Sequence, residues 1–130
     1  MPNFETHLKT GILTGLINAA GKTLLKEIQK VQQNPNQEID WLRITRNSAL
    51  GGIAGGIGGS LPDTLEPADN PHHRKFFHSK MVAVSVGTGM YYNEKSELNE
   101  DAKIVISSAG YGYISHLLLD SQTPRGLPII

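Results

Sequence analysis

A glycine-rich tract in the middle of the chain constrains the fold more than any other feature. Residues 51–59 contain six glycines, and Ile53, Ala54 and Ile57 between them keep helical spacing. A flexible linker is the alternative, but a linker more often carries serine, proline or charge. Glycine lowers helix propensity by up to about 1 kcal/mol, so a glycine helix needs close backbone packing to be stable. The tract therefore predicts a helix whose small-residue face packs tightly against another helix.

The first segment carries the same signal. Between Glu5 and Gln32 the large aliphatic residues recur every three or four positions, with Gly11, Gly15 and Gly21 among them. This spacing predicts a first helix with a small-residue face. Residues 33–37 have loop composition, and Asp40 is a suitable N-cap for a second helix that runs through Trp41 into the glycine tract.

The second half of the chain predicts two more helices. Leu61–Pro71 holds three prolines and predicts an irregular loop. A third helix is expected over Phe76–Tyr92 and a fourth over Glu100–Asp120, although the β-branched run Ile104–Ile106 also suits a strand. The predicted fold is an all-α compact bundle of about four helices with a Pro-rich metal-binding loop, forming one domain over residues 1–130.

Charge and composition exclude several classes. Twelve basic residues balance twelve acidic ones, so no net field attracts nucleic acid or an acidic membrane surface. The absence of cysteine leaves His, Asp and Glu as the strong metal ligands. The N-terminus lacks the pattern of a secretory signal, and no apolar run reaches the roughly 18 residues of a spanning helix. We expect a cytoplasmic protein, with peripheral membrane association as the alternative.

Most of the histidines fall into two patches. The span Pro62–Ser79 holds three carboxylates and three imidazoles, and His116 lies four residues before Asp120. Imidazole nitrogen and carboxylate oxygen both bind zinc-like cations, and residues four apart share one helix face. Adjacent histidines usually point apart, so only one of His72 and His73 is expected to bind. The distribution predicts one convergent metal site.

Each of these residues also has an ordinary structural interpretation. A single histidine is more often a surface residue, and Glu66 and Asp69 also suit solvated or capping roles. Arg74 is either a surface charge or a bidentate partner for a substrate phosphate, and Ser79 suits a helix cap. The glycine tract lacks the Gly-Lys-Ser/Thr ending of a phosphate loop, which disfavours nucleotide binding.

Several short motifs occur along the chain: Thr6-His7, Leu61-Pro62-Asp63, His73-Arg74, His78-Ser79, Ser115 to Asp120, Thr123-Pro124 and Gly126. Over nearly the whole chain, these motifs together resemble the YdjM-like family of predicted membrane-bound metal-dependent hydrolases. The resemblance implies a helical fold and a metal-binding set. That set is His7, Asp63, His73, His78, His116 and Asp120, with Arg74 and Ser79 beside it. Leu65 stands where the family usually has a second Asp, and Glu66 follows it.

The functional prediction is a metal-dependent hydrolase of phosphoesters, either nucleotides or lipid head groups. Asp63, Glu66 and Arg74 are the expected catalytic residues, with zinc as the expected ion and manganese or magnesium as alternatives. The competing prediction is a non-enzymatic, metal-stabilised interaction protein that self-associates or docks on a partner through its glycine-rich helix. A membrane-associated bundle is the third class.

Overall fold

Four helices make up the bundle in the described part of the chain. The structure, a computed structural model, describes residues 3–67, 76–123 and 126–129. In chain order the helices are α1 (Phe4–Gln33), α2 (Trp41–Leu65), α3 (Lys80–Lys95) and α4 (Glu100–Ser121). They alternate in direction, and the described residues include no strand. The all-α prediction is confirmed, and the strand alternative for Ile104–Ile106 is wrong because these residues lie in α4.

Side chains cap the start of every helix. Asn3, Asp40, Ser79 and Asn99 each accept a hydrogen bond from the backbone N–H three residues later, which satisfies a donor that the helix leaves unpaired. Asp40 and Ser79 therefore have the capping roles that the sequence suggested. At the start of α3 the carbonyls of residues 128 and 129 accept two further N–H groups.

Helices α1, α2 and α4 pack on one another through glycine. A Cβ on Gly55 would strike the carbonyl oxygen of Gly11 and lie 2.8 Å from the Cα of Gly15, and a Cβ on Gly58 would strike the backbone of Ala109. Only glycine permits this approach, so the predicted small-residue face is confirmed and the linker alternative is wrong. Gly21 has open space around it, and packing does not explain that glycine.

The large aliphatic residues mostly lie outside this core. Ala19, Ala54, Ile104, Tyr113 and Leu117 are its buried hydrophobic members. The buried polar residues are more numerous and include Thr23, Asn47, Ser107 and Ser108. Helical periodicity therefore identified the helices correctly but not the faces that they bury.

Three predicted boundaries are wrong. Leu61–Leu65 belong to α2 rather than to a loop, although Pro62 has no N–H to donate. Tertiary contacts support this last turn, since the Nδ1–H of His116 donates to the Gly59 carbonyl at 2.7 Å. Helix α3 starts at Lys80 rather than Phe76, because residues 76–79 form a turn that ends in the Ser79 cap; it ends at Lys95 rather than Tyr92.

Helix α3 occupies a peripheral position. It packs on α4, whereas in the described part of the chain its backbone does not approach that of α1 or α2. No described helix combines the length and apolar character needed to cross a membrane.

An ion-pair network closes the end of the bundle where α2 and α4 begin. The buried carboxylate of Glu27 accepts from Arg43 Nη1 at 2.6 Å and from the backbone N–H of Asp40 at 3.1 Å. Lys30, the backbone N–H of Asp40 and Arg43 together lower the pKa of Glu27 to about 2, against the opposing effect of its burial. Glu100 also pairs with Arg43, which links α1, α2 and α4 at this end.

Candidate metal centre

Five predicted site residues converge at the opposite end of the bundle. The alternating helix directions bring the start of α1, the end of α2, the turn before α3 and the end of α4 together. These segments carry His7, Asp63, His78 and the pair His116 and Asp120 respectively. All except Asp63 are almost completely buried, and the Asp63 side chain is 17 % exposed.

Two imidazoles face each other at the centre of the site. The Nε2 atoms of His78 and His116 are 3.2 Å apart. The Nδ1–H of His78 donates to Glu66 Oε2 at 2.8 Å, and the Nδ1–H of His116 donates to the Gly59 carbonyl. These bonds assign the proton of each neutral ring to Nδ1, so both Nε2 atoms present lone pairs to the same space.

Carboxylate oxygens surround the same space. Asp63 Oδ1 is 3.3 Å from His78 Nε2 and 3.6 Å from His116 Nε2. Asp120 Oδ2 is 3.2 Å from His116 Nε2 and 3.7 Å from His78 Nε2. Ligands that sit about 2.0–2.1 Å from a tetrahedral zinc are roughly 3.3–3.4 Å apart, which matches these separations.

Electrostatics favours a cation at this position. The two Nε2 lone pairs repel each other, and they repel the Asp63 and Asp120 oxygens that lie within 4 Å of both, unless a proton or a metal ion lies between them. Burial opposes protonation of His78, but its bonds to Asp63 and Glu66 and the charge of Asp120 outweigh burial and raise its pKa. Burial likewise opposes ionisation of Asp63, but the bond with His78 and the nearby imidazoles lower its pKa.

His7 extends the centre toward α1. Its ring stacks on that of His116 with the centroids 3.5 Å apart, and its Nε2 is 3.3 Å from Asp120 Oδ1. The buried Nδ1 of His7 has no hydrogen-bond partner among the described residues. Two sets of donor atoms are thus compact enough for one ion: His78, His116 and Asp120, or His7, Asp63 and His116. The residues present therefore fit a divalent cation.

Glu66 stands behind His78 rather than at the centre. Its Oε2 accepts both the ring Nδ1–H of His78 and, at 3.2 Å, the backbone N–H of the same residue. A carboxylate in this position fixes the tautomer of a metal-binding imidazole and increases its basicity.

Two contributors to the site escaped prediction. The Gly59 carbonyl orients His116, and the Tyr113 hydroxyl donates to the Phe77 carbonyl at 2.6 Å, which holds the turn before His78. The amino-acid sequence does not indicate which backbone carbonyl accepts a hydrogen bond from a site residue. The predicted ligand His73 and the predicted catalytic residue Arg74, together with His72 and residues 68–71 of the Pro-rich segment, lie outside the described residues.

Similarity to known proteins agrees with the motifs. The family model described as YdjM inner membrane protein matches residues 1–130, the whole chain. The chain belongs to this family. No curated protein and no solved structure is significantly similar to it. The description of the YdjM family refers to the inner membrane and names no reaction. The chemistry of the site is therefore inferred from its geometry.

Proposed function

We propose that the chain is a metal-dependent hydrolase that cleaves phosphoesters with a metal-activated water. The observation that carries the proposal is the pair of buried Nε2 atoms, 3.2 Å apart and flanked by two carboxylates. Two imidazoles with carboxylate oxygen favour zinc over magnesium, with manganese as the alternative. The expected substrate is an anionic phosphoester, because a divalent ion stabilises the negative charge of such a substrate.

The proposed roles follow from burial. His78, His116 and Asp120 are fully buried and supply the two-histidine, one-carboxylate set found in hydrolytic zinc sites. Asp63 lies beside both imidazoles and is partly exposed, so it marks the side from which water and substrate enter. We assign Asp63 as the base that takes the proton of the attacking water, with Glu66 and His7 holding the ligands in place.

A bound divalent ion lowers the pKa of a coordinated water toward neutrality and polarises the phosphoryl oxygen. The chain itself provides a dry, preorganised cradle, because the His7, His78, His116 and Asp120 side chains are each at most 2 % exposed. Arg74, eleven residues after Asp63 in the sequence, remains the proposed partner for the anionic group of the substrate.

A structural metal is the competing function, and the position of Asp63 Oδ1, 3.3 Å and 3.6 Å from the two Nε2 atoms, favours it. If Asp63 also coordinates the ion, four protein atoms complete the tetrahedron and no position remains for water, as in closed structural sites. The two functions therefore differ in the role of Asp63. Association through the glycine-rich helix also stays a prediction, although the glycines of α2 contact α1 and α4 of the same chain.

The first experiment compares Asp63→Asn with wild type after loading with zinc. For the hydrolase, Asp63→Asn retains about one ion per chain and loses roughly 100-fold or more in kcat on bis(p-nitrophenyl) phosphate. His116→Ala loses both the ion and the activity. Asp101→Asn, an exposed aspartate at the other end of α4, is the matched control and leaves both unchanged.

Two results would contradict the hydrolase. One is zinc-loaded wild type that binds an ion but hydrolyses no phosphoester; the other is Asp63→Asn that releases the ion and unfolds at a lower temperature. The second result would identify Asp63 as a fourth ligand and the ion as structural.

The family description supports a function of this protein at the inner membrane. With no spanning helix among the described residues, we propose a peripheral position on the cytoplasmic face.

A further inference from the structure

One face of the bundle is apolar and free of charge. Residues 10–21 of α1 and 47–62 of α2 contain no Asp, Glu, Lys or Arg. At ~1.5 Å per residue, these segments are about 18 and 24 Å long. Charged residues lie directly beyond them at both ends, starting with Lys9, Lys22, Arg46 and Asp63.

Large aliphatic side chains cover this surface, which we call the α1–α2 face: Ile12, Leu13, Leu16, Ile17, Ile53 and Ile57. Leu13 and Ile17 are 58 % and 59 % exposed, and Ile53 and Ile57 are 65 % and 58 % exposed. Ile12, Leu16 and Ile53 line one shallow apolar groove between the two helices, and Ile17 lines a neighbouring groove with Tyr111 of α4. Helix α3 does not cover it: within the described residues the backbone of α3 approaches that of α4, and its Glu94 meets α1 at Lys22, beyond the uncharged segment.

The interior of the same helices has the opposite character. Glycines and the polar side chains of Thr23, Asn47 and Ser108 fill the space between the helices, and Asn47 Nδ2 donates to Thr23 Oγ1 at 3.0 Å. A water-soluble bundle buries its aliphatic residues and exposes its polar ones. A polar interior with an apolar, uncharged outer face instead fits contact with acyl chains, parallel to the bilayer surface.

The metal centre lies beside this face. Ile57, the last aliphatic residue of the face on α2, precedes Asp63 by about 9 Å along the helix axis at ~1.5 Å per residue. Asp63 and Glu66 are the partly exposed members of the centre, and Leu65 between them is 47 % exposed. When the α1–α2 face contacts acyl chains, the opening of the centre is at the depth of the lipid phosphates.

We propose that the substrate is a membrane lipid phosphoester, taken from the bilayer on which the α1–α2 face rests, rather than a soluble nucleotide. This inference rests on the proposed hydrolase. In the reaction the water oxygen forms a bond to phosphorus, the P–O ester bond breaks, and the leaving alkoxide receives the proton that the water loses. The acyl chains stay among neighbouring lipids, and only the phosphate group enters the site.

The test uses the full chain loaded with zinc and three readouts. These are flotation with phosphatidylcholine–phosphatidylglycerol vesicles, hydrolysis of vesicle phospholipid, and hydrolysis of bis(p-nitrophenyl) phosphate. The double variant Leu13→Glu with Ile17→Glu places two charges on the face, and Ile53→Glu with Ile57→Glu does so on α2. Gln29→Glu is the control, since residue 29 is exposed on α1 but lies outside the uncharged segment, in a groove lined by residues of α3 and α4.

We expect wild type and Gln29→Glu to float and to cleave both substrates. Both double variants lose vesicle binding and lipid hydrolysis by about tenfold or more, because charged side chains are excluded from acyl chains, while the soluble diester is cleaved as before. His116→Ala still floats but cleaves neither substrate.

The outcomes separate the two proposals. If wild type cleaves the soluble diester but no lipid, or if the double variants cleave lipid at the wild-type rate, the lipid inference is overturned and the hydrolase stands. A dimer that buries the α1–α2 face without vesicle binding also overturns the lipid inference. If wild type cleaves neither substrate, the hydrolase falls and the lipid inference falls with it.

Discussion

Glu66 shows how a single residue sets the properties of the centre. Glu66→Gln keeps the size of the side chain but replaces the carboxylate that holds His78 through its ring and its backbone N–H. We expect zinc affinity to fall about 10- to 100-fold, because a metal-binding imidazole loses basicity and orientation without its acceptor. Competition against a chromophoric chelator measures this change.

Glu5→Gln is the matched control, because Glu5 is an exposed carboxylate on α1 that pairs with Lys9. Equal zinc affinity in wild type and Glu66→Gln would show that Glu66 does not position His78. A full loss of binding would instead place Glu66 among the ligands.

The sequence predicted that some of these side chains lie close together, whereas their binding of a metal stays a prediction. His116 and Asp120 were paired from their spacing, and the structure places them on one face with Nε2 and Oδ2 3.2 Å apart. The placement of His7 came from a family resemblance, since nothing near His7 in the sequence indicates that it stacks on His116. Contributions from backbone atoms, such as the Gly59 carbonyl, depend on tertiary packing and could not be predicted.

The glycines of the helices differ in the space around them, and alanine variants at two of them can measure the effect on stability. Alanine raises helix propensity by about 1 kcal/mol at either position. At Gly55 the added methyl strikes the backbone of α1, so we expect Gly55→Ala to destabilise the fold by about 1–3 kcal/mol. At Gly87 in α3 the space is open, so Gly87→Ala should increase stability by up to about 1 kcal/mol.

Urea unfolding followed by circular dichroism gives both free energies of unfolding. Gly21→Ala is a further control, because Gly21 lies on α1 but has no neighbour within 4 Å of an added methyl. If Gly55→Ala and Gly21→Ala have the same effect, the close contact of α1 with α2 is wrong.

At the scale of the element, periodicity predicts a helix but not its buried side. Ile17 and Leu25 belong to the helical spacing on which the first prediction rested, yet they point away from the core. The i, i+4 series of Gly11 and Gly15 faces α2 instead, because glycine permits the closest backbone contact. The end of α2 was missed for a related reason: proline usually ends a helix, and only tertiary contacts show that Pro62 does not.

At the scale of the whole molecule, the described residues form a tightly packed three-helix core with α3 attached to one side. Glycine contacts join α1, α2 and α4, whereas α3 packs on α4 and buries a single residue, Asn93, within its length. Local opening of α3 therefore exposes little apolar surface, while opening of α2 breaks the core. The amides of α2 and α3 should therefore differ in protection from hydrogen exchange, even though both helices are capped.

Hydrogen exchange tests this difference. Amides in the middle of α3, residues 84–92, should exchange at least about tenfold faster than those of residues 51–59 in α2, because their opening does not require global unfolding. His78 precedes α3 by two residues, so zinc that binds His78 and His116 ties the start of α3 to α4. Added zinc should therefore slow exchange in the first turns of α3, and His116→Ala should abolish this slowing. Equal exchange in α2 and α3 without zinc would contradict the peripheral position of α3, and zinc-independent exchange in wild type would contradict the metal centre.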